Sequence, residues 1–192
     1  NTPERTENTL GFWWCGRFGM HKWPMKINDI NINLKNYKKV IIVSPIWFFD
    51  ICAQIRGFIL KYKNDIKKVI DKKMFIATGN SYELFGKYID DKECLGIFYF
   101  SSKTHDRIVG EQVFKTNITN QPVIGFQNRS SVNDIKENYL FEVIKGTGNN
   151  EDINVEGIHI NNFFGTYLIG PLLIRNPYFK DELLKYLGIS KF

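Results

Sequence analysis

The 192-residue chain is short of the features that would assign it to a special class. Its three cysteines, Cys15, Cys52 and Cys94, form no CxxC pair. So few, and odd in number, they exclude a disulfide framework and point to a reducing compartment. The three histidines, His21, His105 and His159, lie far apart with no zinc-ligand spacing, so no metal site is expected. No run of about 18 apolar residues occurs, which excludes a transmembrane helix. The longest apolar run, Val40 to Phe49, is broken by Ser44 and Pro45. The opening residues Asn1 to Glu7 show no basic stretch followed by an apolar one, so no secretory leader is read there. The expectation is a cytoplasmic protein with no membrane partner.

What is present is ordinary for a folded domain. Hydrophobic residues make up 43% and charged residues 24%, which excludes disordered, collagenous and coiled-coil classes. A chain of this size hides roughly 70% of its unfolded surface, enough for a sizeable core. The net charge is +6, but it comes mostly from scattered lysines. Lys38-Lys39, Lys67-Lys68 and Lys72-Lys73 are simple pairs beside apolar runs, and no basic stripe forms. No nucleic-acid partner is expected.

Hydrophobic periodicity reads as α/β. Lys39 to Ser44 is a continuous apolar strand of the kind buried on both faces of a parallel sheet. A helix follows from about Asp50, as N-cap, to Tyr62, with Ile51, Ile55, Phe58, Ile59 and Tyr62 on one stripe. A second strand, Lys73 to Thr78, runs into the turn Gly79-Asn80-Ser81 and a short helix from Tyr82 to Tyr88. Strand, helix, strand, helix predicts a doubly wound parallel sheet with right-handed crossovers. The second half adds short strands at Leu95–Phe100, Ile108–Phe114, Pro122–Phe126, Leu140–Lys145, Glu156–Ile160 and Phe163–Ile169. Gly146 to Asn150 reads as a loop. A last helix is capped by Asn176, starts at Pro177, carries Phe179, Leu183, Leu184 and Leu187 on its stripe, and ends at Gly188.

The turn after the second strand is the most informative place. An apolar strand, then Thr78-Gly79-Asn80-Ser81, then a helix is the setting of a nucleophile elbow. Tyr82-Glu-Leu-Phe-Gly-Lys-Tyr88 resembles the helix that follows the catalytic cysteine in class I glutamine amidotransferases of the cobyric acid synthase type. The resemblance continues through Leu95-Gly-Ile97, Arg107-Ile-Val-Gly110, Gly125-Phe-Gln-Asn128, Gly146-Thr-Gly-Asn-Asn150 with Glu156-Gly157, and Phe164-Gly-Thr-Tyr-Leu-Ile-Gly-Pro171. It covers roughly residues 72 to 188.

That family splits glutamine with a cysteine activated by a histidine and passes ammonia to a partner synthetase. The resemblance thus implies glutamine as ligand and a Mur-ligase-like synthetase as partner, in cell-wall chemistry. This chain departs at both reacting positions. Thr78, or Gly79 if the register is placed one residue on, stands where the family has cysteine, and Ile169 stands where it has histidine. A hydroxyl needs a general base, and isoleucine is none. The implied role is an amidotransferase-like protein without glutaminase activity, or an inactive folded remnant. Arg107 matches a family arginine that holds the glutamine carboxylate; it reads equally as a surface residue. Gln127-Asn-Arg-Ser-Ser131 replaces the family's Glu-Asn-His-Gly-Gly.

The first part, about residues 3 to 68, resembles flavodoxin-family proteins through Gly11 to Met25, Ser44-Pro-Ile-Trp-Phe-Phe49 and Ile55-Arg56. That resemblance implies, as an alternative function, an FMN-binding redox protein with Trp47 stacking on the flavin ring; the other reading is that Trp47 merely covers the sheet end. The hydroxyl- and glycine-rich loop that cradles the FMN phosphate is absent from these residues, so no cofactor is expected. The reading is a flavodoxin-like segment 1–70 and an amidotransferase-like segment 71–192 in one continuous compact domain.

Overall fold

The computed structural model describes residues 9–31, 33, 36–37, 46–47, 50–70 and 72–189. The chain divides into two compact units, Asn1–Val69 and Ile70–Phe192.

The first unit contains α1 (Thr9–Met20), the two-residue strands β1 (Ile46–Trp47) and β2 (Asp50–Ile51), α2 (Ala53–Lys61) and α3 (Lys63–Ile70). The strand expected at Lys39–Ser44 lies outside the described residues. Asp50 does not cap a helix; it pairs with Trp47 in the β1–β2 ladder, and α2 starts after Cys52, whose backbone is extended. Met25 packs with Ala53 and Phe18, and its N–H donates to the Ala53 carbonyl at 2.9 Å. Gly57 makes that approach possible, because a Cβ there would fall 1.9 Å from the Met25 carbonyl oxygen.

The second unit opens with β3 (Phe75–Thr78) and a 3₁₀ helix over Gly79–Phe85, followed by β4 (Tyr88–Ile89) and β5 (Lys92–Glu93). The helix expected over Tyr82–Tyr88 is therefore a 3₁₀ segment that starts three residues earlier and gives way to a strand. Leu95–Phe100 is not a strand. Its amides close on that segment instead, with Leu95 N–H donating to Leu84 O and Ile97 and Phe98 N–H to Phe85 O. Two long strands follow, β6 (Ser101–Lys115) and β7 (Val123–Asn133), then β8 (Phe141–Lys145), β9 (Val155–Glu156), β10 (Ile158–Ile160), β11 (Phe163–Thr166), β12 (Leu168–Ile169), α4 (Leu172–Arg175) and α5 (Pro177–Tyr186).

These strands form two mixed sheets. One runs β10-β11-β3, with β11 parallel to β3 in the register Thr166 to Thr78. The other runs β12-β7-β6-β4-β5, with β8 also on β6 and β9 on β8. The architecture is α/β. Among the described strands, parallel pairing is confined to β3–β11 and β4–β6, so the doubly wound parallel arrangement does not extend through them. The core gathers Phe114, Val123, Leu140, Phe141, Phe164, Leu168, Leu172, Phe179 and Leu183. Pro177 begins α5 and Asn176 stands at its N-cap as expected, but the Asn176 side chain makes no capping bond to the helix. Its side chain clamps β7, accepting from Ile124 N–H at 2.8 Å and donating to Ile124 O at 2.8 Å and Leu172 O at 2.7 Å.

Candidate functional site

The β3–3₁₀ turn brings the sequence-predicted positions together in a specific order. Thr78 is extended (φ −117°) and exposed, whereas Gly79 takes φ +62° and is buried. A nucleophile elbow needs a left-handed backbone, which a β-branched residue resists. The left-handed position of this turn is therefore Gly79, not Thr78. β12 hangs from β7, with Leu168 opposite Gln127 and Ile169 opposite Phe126. That pairing delivers Ile169 to the turn, where its Cγ2 lies 3.1 Å from the place a Cβ on Gly79 would take. The turn is braced by Ser81 Oγ donating to Thr78 O at 2.7 Å and Asn80 Nδ2 donating to Ser131 Oγ at 2.6 Å.

Arg107 sits elsewhere on the sheet. It falls where β6 carries extra residues against β7, between the pairs Thr104–Ser131 and Ile108–Arg129. There it is exposed, and its Nε donates to Asn128 Oδ1 at 3.1 Å. β7 flanks β6 on one side, while on the other the described strands pair with β6 only at Ser101–Ser102 and Val113–Lys115, so Arg107 lies on an open stretch of strand edge, as a surface residue there would. Trp47 lies in β1, and its side chain is outside the described residues. His159 is on β10, stacked on Phe164 at 4.3 Å, with its Nε2 near Asn161 O at 3.2 Å. Burial holds its pKa below the usual value. It is a packing residue, distinct from the turn.

Next to the turn is a buried polar network that hydropathy alone does not reveal. β7 alternates strictly, and its inward residues change from Val123 and Gly125 to Gln127, Arg129, Ser131 and Asn133. Arg129 is fully buried. Its Nε donates to Gln127 Oε1 at 3.1 Å and its terminal nitrogens donate to the carbonyls of Ser131, Asn149 and Gly148. Its guanidinium also lies 3.9 Å over the Tyr167 ring. The loop at Gly146–Asn150 is thus wrapped around a cation, which explains its glycine-rich, carbonyl-presenting shape.

Two buried carboxylates face this centre. Tyr167 OH donates to Glu83 Oε1 at 2.6 Å. Glu156 accepts from Tyr167 N–H at 2.6 Å and Thr166 Oγ1 at 2.7 Å. Burial nevertheless dominates and pushes Glu156 up to about 7. Desolvation likewise raises the Tyr82 and Tyr167 phenols well above their usual value. Asn133 Nδ2 joins both, at 2.6 Å from Tyr82 OH and 3.0 Å from Tyr167 OH. The network rigidifies the platform on which Gly79 and Ile169 meet. Among the described residues no cluster of histidine, cysteine and carboxylate side chains could hold a metal ion.

No family model matches the chain. Two curated proteins are similar to it. One is the lipid II isoglutaminyl synthase (glutamine-hydrolyzing) subunit GatD of Staphylococcus aureus (strain N315), 36% identical over 133 residues, which are 65% of this chain and 54% of that protein. The other is the subunit of the same name from Streptococcus pneumoniae (strain ATCC BAA-255 / R6), 30% identical over 110 residues, 53% of this chain and 42% of that protein. The chain spans about half the length of the curated relatives it matches.

Proposed function

We propose, from the similarity to the glutamine-hydrolyzing GatD subunits, that this chain is an amidotransferase-like subunit that does not hydrolyse glutamine. The observation carrying the proposal is the Ile169 methyl group against the Gly79 elbow. Amide hydrolysis through a thiolate needs sulfur at the elbow and a proton acceptor within hydrogen-bond reach of it. Glycine supplies no sulfur and isoleucine no acceptor. Thr78 adds a hydroxyl, but it is extended and exposed, and Ile169 offers it no base.

What such a chain retains is shape. The exposed Arg107, held by Asn128, is suited to a small carboxylate such as that of glutamine. A subunit role also calls for a partner, and a synthetase of the Mur-ligase type fits the relatives' reaction. We expect no FMN to co-purify, because these residues hold no phosphate-cradling loop.

Ammonia release from glutamine is the test. The wild-type chain should release none above a buffer blank. Neither Gly79→Cys nor Ile169→His alone should restore release, since an unassisted thiol with pKa near about 8.5 is mostly protonated at neutral pH. The double variant should regain a trace. Robust wild-type turnover would overturn the proposal.

A further inference from the structure

The first unit turns an apolar face outward. α1 buries a narrow strip and exposes apolar side chains around most of its girth, including Phe12, 76% exposed, beside the buried strip. Gly11 and Gly19 are buried and Phe18 is half-buried, packed with Met25 and Ala53. The exposed part also carries Leu10, Trp13, Trp14, Arg17 and Met20. Leu10 is 68%, Trp13 72%, Trp14 51% and Met20 60% exposed. Just beyond the helix Trp23 is also exposed, stacked on His21 at 4.5 Å and edge-on to Phe18 at 5.8 Å. Three of the four tryptophans of the chain therefore lie within eleven residues, all at the surface.

The segment carrying this face is basic between Glu7 and Asp29. Arg17, Lys22 and Lys26 lie in or beside it, and no Asp or Glu occurs from Asn8 to Asn28. The Arg17 guanidinium is 5.9 Å from the Trp14 ring, at the rim of the patch. A contiguous exposed apolar surface marks a protein or membrane contact. Indole rings with a basic rim favour the second, because tryptophan partitions to the headgroup level and lysine and arginine seek lipid phosphates. The helix is 12 residues, about 18 Å, too short to cross a hydrocarbon core of about 30 Å. It is suited to lie in the plane of the surface.

We infer that α1, with Trp23, is an interfacial anchor for an anionic lipid bilayer. Leu10, Trp13, Trp14 and Met20 enter the boundary between headgroups and acyl chains, while Arg17, Lys22 and Lys26 face lipid phosphates. This revises the expectation of no membrane partner, which rested on the lack of a spanning run; a helix lying in the surface needs none. The inference is independent of the amidotransferase-like reading.

The full chain is mixed with phosphatidylcholine vesicles and with phosphatidylcholine–phosphatidylglycerol vesicles, then sedimented. Binding is expected to the anionic vesicles only, and to fall with added salt. Tryptophan emission should shift to the blue and be quenched by lipids brominated on their acyl chains, a readout that needs no variant. Replacing Arg17, Lys22 and Lys26 by Gln together should weaken partitioning by about a hundredfold, at about 1 kcal/mol for each basic residue. Trp13→Ser with Trp14→Ser should abolish the quenching. Absence of sedimentation, equal binding to neutral vesicles, or bound protein without quenching would each overturn the inference. So would a stable dimer in light scattering that shields these tryptophans from acrylamide, since a second copy would then cover the face.

Discussion

Gly157 and Gly188 separate two reasons for glycine. Both have positive φ, +72° and +67°. At Gly157 a Cβ would also land 2.3 Å from the Gly165 carbonyl oxygen, which belongs to the β10–β11 pair and cannot move aside, whereas nothing lies within 4 Å of it at Gly188. Gly188→Ala is expected to cost about 1 kcal/mol and Gly157→Ala upwards of about 3 kcal/mol in urea denaturation. Equal losses would show that backbone strain, not the close approach, governs both. Arg129 makes the second residue-scale prediction. Arg129→Met keeps most of the volume but removes the guanidinium donors to the carbonyls of Gly148, Asn149 and Ser131, of which Asn149 O keeps the Asn133 N–H. A loss of about 3–5 kcal/mol is expected, with the two buried carboxylates left beside an uncharged centre. A variant as stable as wild type would show that water replaces the guanidinium.

At the scale of elements, β7 shows why pattern reading falls short. The apolar run stops at Phe126, so the sequence predicts a five-residue strand where β7 has eleven residues, ten of them paired with β6. The period of two continues through Gln127, Arg129, Ser131 and Asn133, but in polar residues that only a prebuilt network of partners can bury. Strand alternation was the one available signal, and hydropathy masks it. α5 is the opposite case. Of the predicted stripe, Phe179 and Leu183, four apart, are buried and Leu184 is half-buried, whereas Leu187, at the C-cap where no core lies over it, is 43% exposed; the helix limits follow from Pro177 and Gly188. Leu183→Ala should lower stability by about 2–5 kcal/mol without altering the spectroscopic helix signal of the folded state by more than its own turn. A loss below about 1 kcal/mol would mean that α5 is not seated on the core.

For the whole molecule, Glu156 links stability to pH. Its folded pKa of about 7 exceeds the ordinary 4.5 because burial penalises the charge. Between those values the folded protein holds a proton that the unfolded chain has released. The contribution is therefore fully present below about pH 4.5 and lost as pH rises through about 7. Its size is about 3 kcal/mol, and thermal melts from pH 5 to 8 should show a falling midpoint that Glu156→Gln flattens. The exposed carboxylates Asp29 and Glu142, paired with Lys61 and Lys115, have pKa values shifted downward and act in the opposite sense at more acidic pH, so the windows do not overlap. An unchanged slope in the variant would place the titrating group elsewhere.

The sequence by itself determined the α/β class, the loop at Gly146–Asn150 and the limits of α5. Each depends on local chemistry: hydrophobic period, glycine and proline placement, or side-chain identity. Only the tertiary structure decided that Gly79 rather than Thr78 takes the left-handed position in the turn, because the sign of φ is a property of the folded turn. It alone placed Ile169 on that turn, through the pairing of β12 with β7, and it alone enclosed Arg129 in carbonyls from a loop twenty residues away. Such contacts join segments distant in the chain, and no local period encodes which distant carbonyl will meet a buried charge.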